Sequence, residues 1–352
     1  MFHSLPLPLL LGIFLAGAVA VWFAGIQLSN TTDVLADRFH FGQAMGGLLF
    51  LAVATNLPEV AITVSAALTH NLGIAIGNIL GGISIQTAVL VILDAFGLKD
   101  EDSLTYRGTS LQVVLEGVLV IAVLVIAIMG TQMPKTLIFA RLTPDAVLIT
   151  ATWIVGVWLL SKARTDLPWH EKGRAPEAAH PSDKKQDRNK SQKWSTARVI
   201  IVFGIAAIVT LMAGAALEES GNAIADHIGL SGVLFGATIL AAATSLPEVS
   251  TGLDAVKIGD YPMAFGDIFG GNAFLPVLFL LAVLISGAPV LPLAQKSDIY
   301  LAGLGILLTT VYIYGLIFRP RKQILRMGID SLVVLLLYIL GIAGLFALTI
   351  YH

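Results

Sequence analysis

Apolar residues run in blocks of about 20 along the whole chain, separated by short polar breaks. Ten blocks fall near 7–29, 43–68, 72–96, 109–130, 145–161, 197–217, 231–256, 261–287, 297–318 and 331–350. A helix of about 20 residues crosses a hydrocarbon layer of about 30 Å, whereas barrel strands alternate over about 10 residues. The pattern predicts an all-α integral membrane protein with about ten transmembrane helices. One polar segment, 162–196, interrupts the rhythm. It is charged, rich in Pro and Ala, and has no apolar core of its own, so it reads as a solvated linker. The chain then divides into 1–161 with five spans, the linker 162–196, and 197–352 with five more.

Composition excludes a soluble domain. The chain is 56% hydrophobic and 12% charged, with mean hydropathy +0.85. There is no cysteine, so disulfides and thiolate metal sites are ruled out. A net charge of −2 gives no footprint for nucleic acid, and membrane lipid is the expected surrounding. The N-terminus lacks a basic stretch before its first apolar block, which reads as a retained span. With the N-terminus outside, 18 of the 21 basic residues fall on the inner side. Lys135, Arg141 and Lys296 are the exceptions. The positive-inside rule then places both termini outside and the linker in the cytoplasm, in a cell (inner) membrane.

The two halves repeat each other. Glu59 and Glu248 lie 189 residues apart, and at that offset 24–82 aligns with 213–271 without a gap, with about 20 identities. ATNLPEV (54–60) meets ATSLPEV (243–249), and GNILGG (77–82) meets GDIFGG (266–271). Five spans is an odd number, so the second half enters the membrane from the opposite side. This predicts two inverted five-helix repeats with broken helices near the midplane, where secondary transporters place their sites.

Chemistry concentrates in the repeated motifs. Pro58 has no N–H for the Ala54 carbonyl, and Pro247 has none for Ala243. Such a break is tolerated in a membrane where it lines a wet or ion-filled cavity. Thr55 and Glu59 are spaced i, i+4, as are Thr244 and Glu248, so each pair shares a helix face. A carboxylate at membrane depth costs about 2.5–3.5 kcal/mol on insertion scales, so two at equivalent positions imply a role. Carboxylate, hydroxyl and carbonyl oxygens are the ligands of hard cations such as Ca²⁺ and Na⁺. Asn78, Gly82 and Gln86 continue one face of the third span; Asp267, Gly271 and Leu275 do so in the eighth, with Asn272 next to Gly271. Asn78 and Gln86 serve equally as interhelical hydrogen-bond partners. Glu116 has no acidic counterpart and reads as a snorkelling or paired group, and Asp254 as the partner of Lys257. All seven histidines fall in loops or termini, which argues against a histidine proton relay.

These residues resemble the sodium/calcium exchanger family of the calcium:cation antiporters. The two TxLPEV copies are similar to its GTSLPE signature, and GNILGG and GDIFGG to its GN-x-x-GSN segments. The resemblance implies a carrier, not an enzyme, that exchanges Ca²⁺ for Na⁺ by alternating access and needs no cofactor. It implies that Glu59 and Glu248 are the central acidic ligands, with Thr55, Thr244 and Ser245 beside them. It also implies that the first and sixth spans slide against the rest, and these read as free of acidic residues in their middle. Asn56 departs from the family's serine, as do Gly82 and Gly271. The family has an amide or acid 27 residues after each glutamate. Here those positions are Gln86 and Leu275, and Asp267 is a candidate substitute on the same face as Leu275. A Gln there is also similar to the proton-coupled calcium exchangers, which leaves H⁺ open as the coupling ion. A carrier for another divalent cation, a non-transporting scaffold and a channel are the further alternatives.

Overall fold

The computed structural model describes residues 2–38, 53–98, 102–163, 194–230 and 232–350. Among them, eight helices are long and apolar enough to cross a membrane. In chain order the main helices are α1 Leu7–Arg38, α2 Leu57–Leu68, α3 Leu72–Ile92, α4 Leu111–Thr131 and α5 Pro144–Ala163. The second half supplies α6 Thr196–Ile228, α7 Leu246–Ile258, α8 Tyr261–Phe274, α9 Lys296–Phe318 and α10 Ile329–Ile350. A 3₁₀ turn at Leu275–Val277 leads α8 into a further helix, Leu278–Ser286. The start of the predicted second span and most of the linker, 164–193, lie outside the described residues.

Local chemistry sets many of these ends. Ser110 starts α4 by accepting the Val113 N–H at 3.2 Å, and Ser195 starts α6 by accepting the Arg198 N–H at 3.3 Å. Such caps contribute about 1 kcal/mol each. Gly229, at φ 71°, closes α6 in the left-handed region that favours glycine. A short antiparallel pairing of β1 Gln323–Ile324 with β2 Met327–Gly328 leads into α10.

α1 and α6 run well beyond the spans predicted at 7–29 and 197–217. Their polar continuations stay helical because short side chains bond back to their own helix. The Thr31 hydroxyl donates to the Gln27 carbonyl at 2.6 Å, and Ser220 to Ala216 at 2.5 Å. The extension carries Glu218, just beyond the predicted end of the span at residue 217, into α6 as a buried carboxylate.

The large apolar core is built mainly from α3, α4, α8 and α9, with α5 and α10 packed around it. A second core joins Leu10, Phe14 and Val21 of α1 to Ala213, Leu217 and Ile224 of α6. The two helices are antiparallel. Phe14 lies by Gly221, while Arg38 at the far end of α1 donates to Thr196 Oγ1 at 3.0 Å and to the Trp194 carbonyl at 2.7 Å.

Each long helix packs on the broken helix of the other half. A Cβ added at Gly25 of α1 would stand 2.6 Å from Pro247 Cβ. One added at Gly214 of α6 would stand 2.9 Å from the Pro58 carbonyl oxygen. Gly25 and Gly214 are equivalent at the 189-residue offset, as are Pro58 and Pro247. The conserved register of the halves is thus matched by a crosswise contact between them.

Candidate cation site

The prolines do not sit inside continuous helices. In the first half, helical residues 53–55 end at Asn56 (φ −87°, ψ 14°), and α2 begins at Leu57. In the second, Ala241–Thr244 ends at Ser245 (φ −82°, ψ 2°), and α7 begins at Leu246. Pro58 and Pro247 therefore occupy the first turn of a new helix, where a missing N–H costs nothing. Glu59 and Glu248 follow in the same first turns. There the helix dipole favours a carboxylate. A π-helical turn, Gly236–Leu240, leads into the second break, and nothing in the sequence announced it.

The two glutamates meet around one amide. Glu59 is 0% exposed, Glu248 1% and Gln86 0%. Gln86 Nε2 faces Glu59 Oε1 at 3.4 Å, Glu248 Oε1 at 3.5 Å and Asn56 Oδ1 at 3.5 Å. An NH₂ group has two protons for these three acceptors, and each separation exceeds the usual 2.7–3.2 Å. The Thr244 hydroxyl donates to the Ala241 carbonyl at 3.2 Å, and its side chain lies close enough to Glu59 of the opposite half to act on it. The i, i+4 spacing places Thr244 and Glu248 on one helix face, but the break at Ser245 falls between them.

Oxygens are left over. Glu59 Oε2, Glu248 Oε2 and Gln86 Oε1 are buried without a hydrogen-bond partner. A buried unpaired carboxylate oxygen costs several kcal/mol, so such groups coordinate cations or take up protons. Asp267 lies close enough to Glu248 to act on it electrostatically, and accepts the Thr251 hydroxyl at 2.5 Å. Among the described residues, no three carboxylates or imidazoles converge as a ready-made chelate. Amide, hydroxyl and carbonyl oxygens would have to complete any coordination shell.

The other sequence candidates are spread around this centre. Thr55, Ala54 and Ala243 are buried at the breaks. Ser245 donates to the Ala241 carbonyl at 2.7 Å. Asn272 Nδ2 reaches Thr87 Oγ1 at 3.0 Å and the Ile83 carbonyl at 3.4 Å, so its amide ties α8 to α3. Asn78 is fully buried with neither amide atom hydrogen-bonded. Glu116 accepts from Gln112 Nε2 at 2.6 Å, away from the centre. Asp254 pairs with Lys257 at 3.3 Å on the surface, as its spacing predicts.

Two departures from the motif explain each other. A Cβ at Gly271 would stand 2.7 Å from Asn56 Nδ2. The larger Asn56 thus occupies the room that a serine at 271 would need. On the other side, Leu275 approaches Gly82, where an added Cβ would meet its Cδ1 at 3.6 Å. An apolar residue therefore stands where the first half carries Gln86.

The family model described as sodium/calcium exchanger protein matches residues 9–162 and 198–347, which is most of the chain. The chain belongs to this family. Its relatives include the inner membrane protein YrbG of Escherichia coli K12, 24% identical over 81% of this exchanger and 83% of that protein. The putative antiporter CaxA of Alkalimonas amylolytica is 26% identical over 79% and 80% of the two chains. The fold is that of the H⁺/Ca²⁺ exchanger CAX, with TM-score 0.66 and 16% identity over 96% and 82% of the chains. It is also that of the sodium–calcium exchanger NCX_Mj, with TM-score 0.61 and 18% identity over 96% and 99%. The exchanger is thus a multi-pass membrane carrier of the calcium/cation antiporter class.

Proposed function

We propose that this chain exchanges Ca²⁺ for Na⁺ across a cell (inner) membrane by alternating access. The carrying observation is the pair of buried glutamates from opposite halves, each with an unpaired oxygen, around a loosely held amide. Glu59 and Glu248 would hold the divalent ion. Thr55, Thr244, Asn56, Ser245 and the Ala54 and Ala243 carbonyls would be drawn on to complete its shell, with Asp267, Asn78 and Asn272 around it. Na⁺ ions on the same oxygens would replace Ca²⁺. An empty site with several bare carboxylates resists crossing the low-dielectric midplane, because each unpaired ion costs several kcal/mol there. That penalty makes transport an exchange. The antiparallel pairing of equivalent helices α1 and α6 supports an inverted repeat, and the two broken helices added to the eight long ones support a ten-span layout. Termini outside and the 162–196 linker in the cytoplasm follow from the basic residues.

Gln86 supports a second reading. A neutral amide where the site could hold another acid leaves fewer charges for Na⁺, and suits protons as the coupling ion. Flux in purified vesicles separates the two. Uptake of ⁴⁵Ca²⁺ that requires an opposing Na⁺ gradient supports the first. Uptake driven by a pH gradient in sodium-free medium overturns it in favour of the second. Running Mg²⁺ and Mn²⁺ as competitors identifies the divalent substrate, and no flux with any ion overturns transport altogether.

A further inference from the structure

Glu218 is a buried carboxylate that the central site does not use. It sits on α6, is 1% exposed, and accepts the Ser65 hydroxyl of α2 at 2.8 Å. Ser65 lies six residues beyond Glu59, toward the end of α2. One turn away on α6, Gly214 is pressed on Pro58, and on the other side Gly221 is pressed on Phe235. Residues 214, 218 and 221 thus form one face of α6 laid against the broken helices. The Glu218–Ser65 bond lies between these two close approaches.

The 189-residue offset carries this pair onto Ser29 of α1 and Asp254 of α7. The residue types are exchanged: the acid moves from the long helix to the broken one, and the hydroxyl the other way. An acid–hydroxyl pair is therefore encoded at both ends of the molecule. The structure realises them differently. Glu218 is buried on its serine, whereas the Asp254 side chain is 68% exposed and bonded to Lys257 at 3.3 Å.

We infer that Glu218–Ser65 and Asp254–Ser29 are reciprocal latches, one at each end of the molecule, and that only one is closed at a time. The structure has the first closed, while in the second Asp254 is held by Lys257. When α1 and α6 move together against the broken helices, Glu218 leaves Ser65 while Asp254 exchanges Lys257 for position 29. Both latch residues are positioning residues that set which side of the central site opens. The inference rests on the alternating-access reading, but its test does not require flux.

The chain has no native cysteine, so cysteine pairs can be read without background. Ser65→Cys with Glu218→Cys makes one reporter, and Ser29→Cys with Asp254→Cys the other. A protease site placed within 164–193 lies between the members of each pair. After cutting, a short reducible bis-thiosulfonate bridge is what holds the two fragments together on a gel. The expected result is that both pairs bridge, and that conditions raising one yield lower the other when saturating Ca²⁺ is moved from one face of the vesicle to the opposite face. Equal yields under all gradients, or a 29/254 pair that never bridges, overturn the inference. A second measurement guards against disturbed packing. Thr63 is buried on α2, two residues before Ser65. With Thr63→Cys as the sole thiol, adding Glu218→Ala should speed its modification by a membrane-impermeant maleimide about tenfold or more. An unchanged rate overturns the inference as well. Reciprocal bridging in a protein that moves no Ca²⁺ overturns the transport proposal and leaves the latches standing.

Discussion

The two broken helices start from nearly the same seven residues and end in different surroundings. Around Glu59 are neutral groups, the Gln86 amide and the Thr244 side chain. Around Glu248 are the same amide and further acids, Asp267 and Glu59 itself. The first break carries Asn56, which fills space over Gly271; the second carries Ser245, which bonds back to its own helix. The two halves thus share the backbone device, a proline opening a new helix under a glutamate, and differ in its neighbours. The first half supplies the Gln86 amide and the second supplies the extra acid, Asp267. A site built this way can hold a divalent ion without four bare carboxylates repelling each other when it is empty.

The largest effect tests whether both halves are needed. Glu59→Gln and Glu248→Gln should each lower ion flux in vesicles by about 100-fold or more, since each removes a formal charge from a buried site. If one of them retains normal flux, the site belongs to a single half. Next comes Gln86→Leu, which gives the first half the apolar residue of the second. Both glutamates lose a buried donor, and the apparent Ca²⁺ affinity should fall about tenfold, in line with about 1–3 kcal/mol for such a loss. Unchanged affinity would show that the amide only fills space. Gly271→Ala should then lower flux and thermal stability through its clash with Asn56, and Asn56→Ser should restore both. A coupling energy of about 0.5–3 kcal/mol in the double-mutant cycle would establish the pair; strict additivity would dissolve it. The smallest effect is expected from Asn272→Ala, which removes the tie to Thr87. It should cost about 1 kcal/mol of stability, read as a small drop in melting temperature in detergent, with ion affinity little changed.

Much of this was written in the sequence, because a membrane imposes long apolar blocks and makes each buried charge conspicuous. The helical class, the glutamates and the breaks at the prolines all follow from that. The contacts between halves do not. The approach of Thr244 to Glu59, and Asn56 filling the place over Gly271, join residues far apart in the chain, and spacing within one helix says nothing about them. Glu218 was missed for a different reason. A hydropathy window falls at Glu218 and Glu219, so the span reads as ending at residue 217, although one face of the helix stays buried beyond it. The mean over a window hides what a single face does. Symmetry held the missing signal, since the 189-residue offset pairs Glu218 with Ser29 and Ser65 with Asp254.

The crosswise seating of Gly25 on Pro247 and of Gly214 on Pro58 has a consequence for assembly. Neither half carries the partner of its own glycine or of its own proline, so an isolated half has two exposed bearing surfaces and no native way to cover them. This mutual clasp adds to the apolar core that α3 and α4 of one half share with α8 and α9 of the other. Two separate polypeptides, 1–163 and 194–352, made in the same membrane should find each other and rebuild the carrier. Either one made alone should be left to degradation.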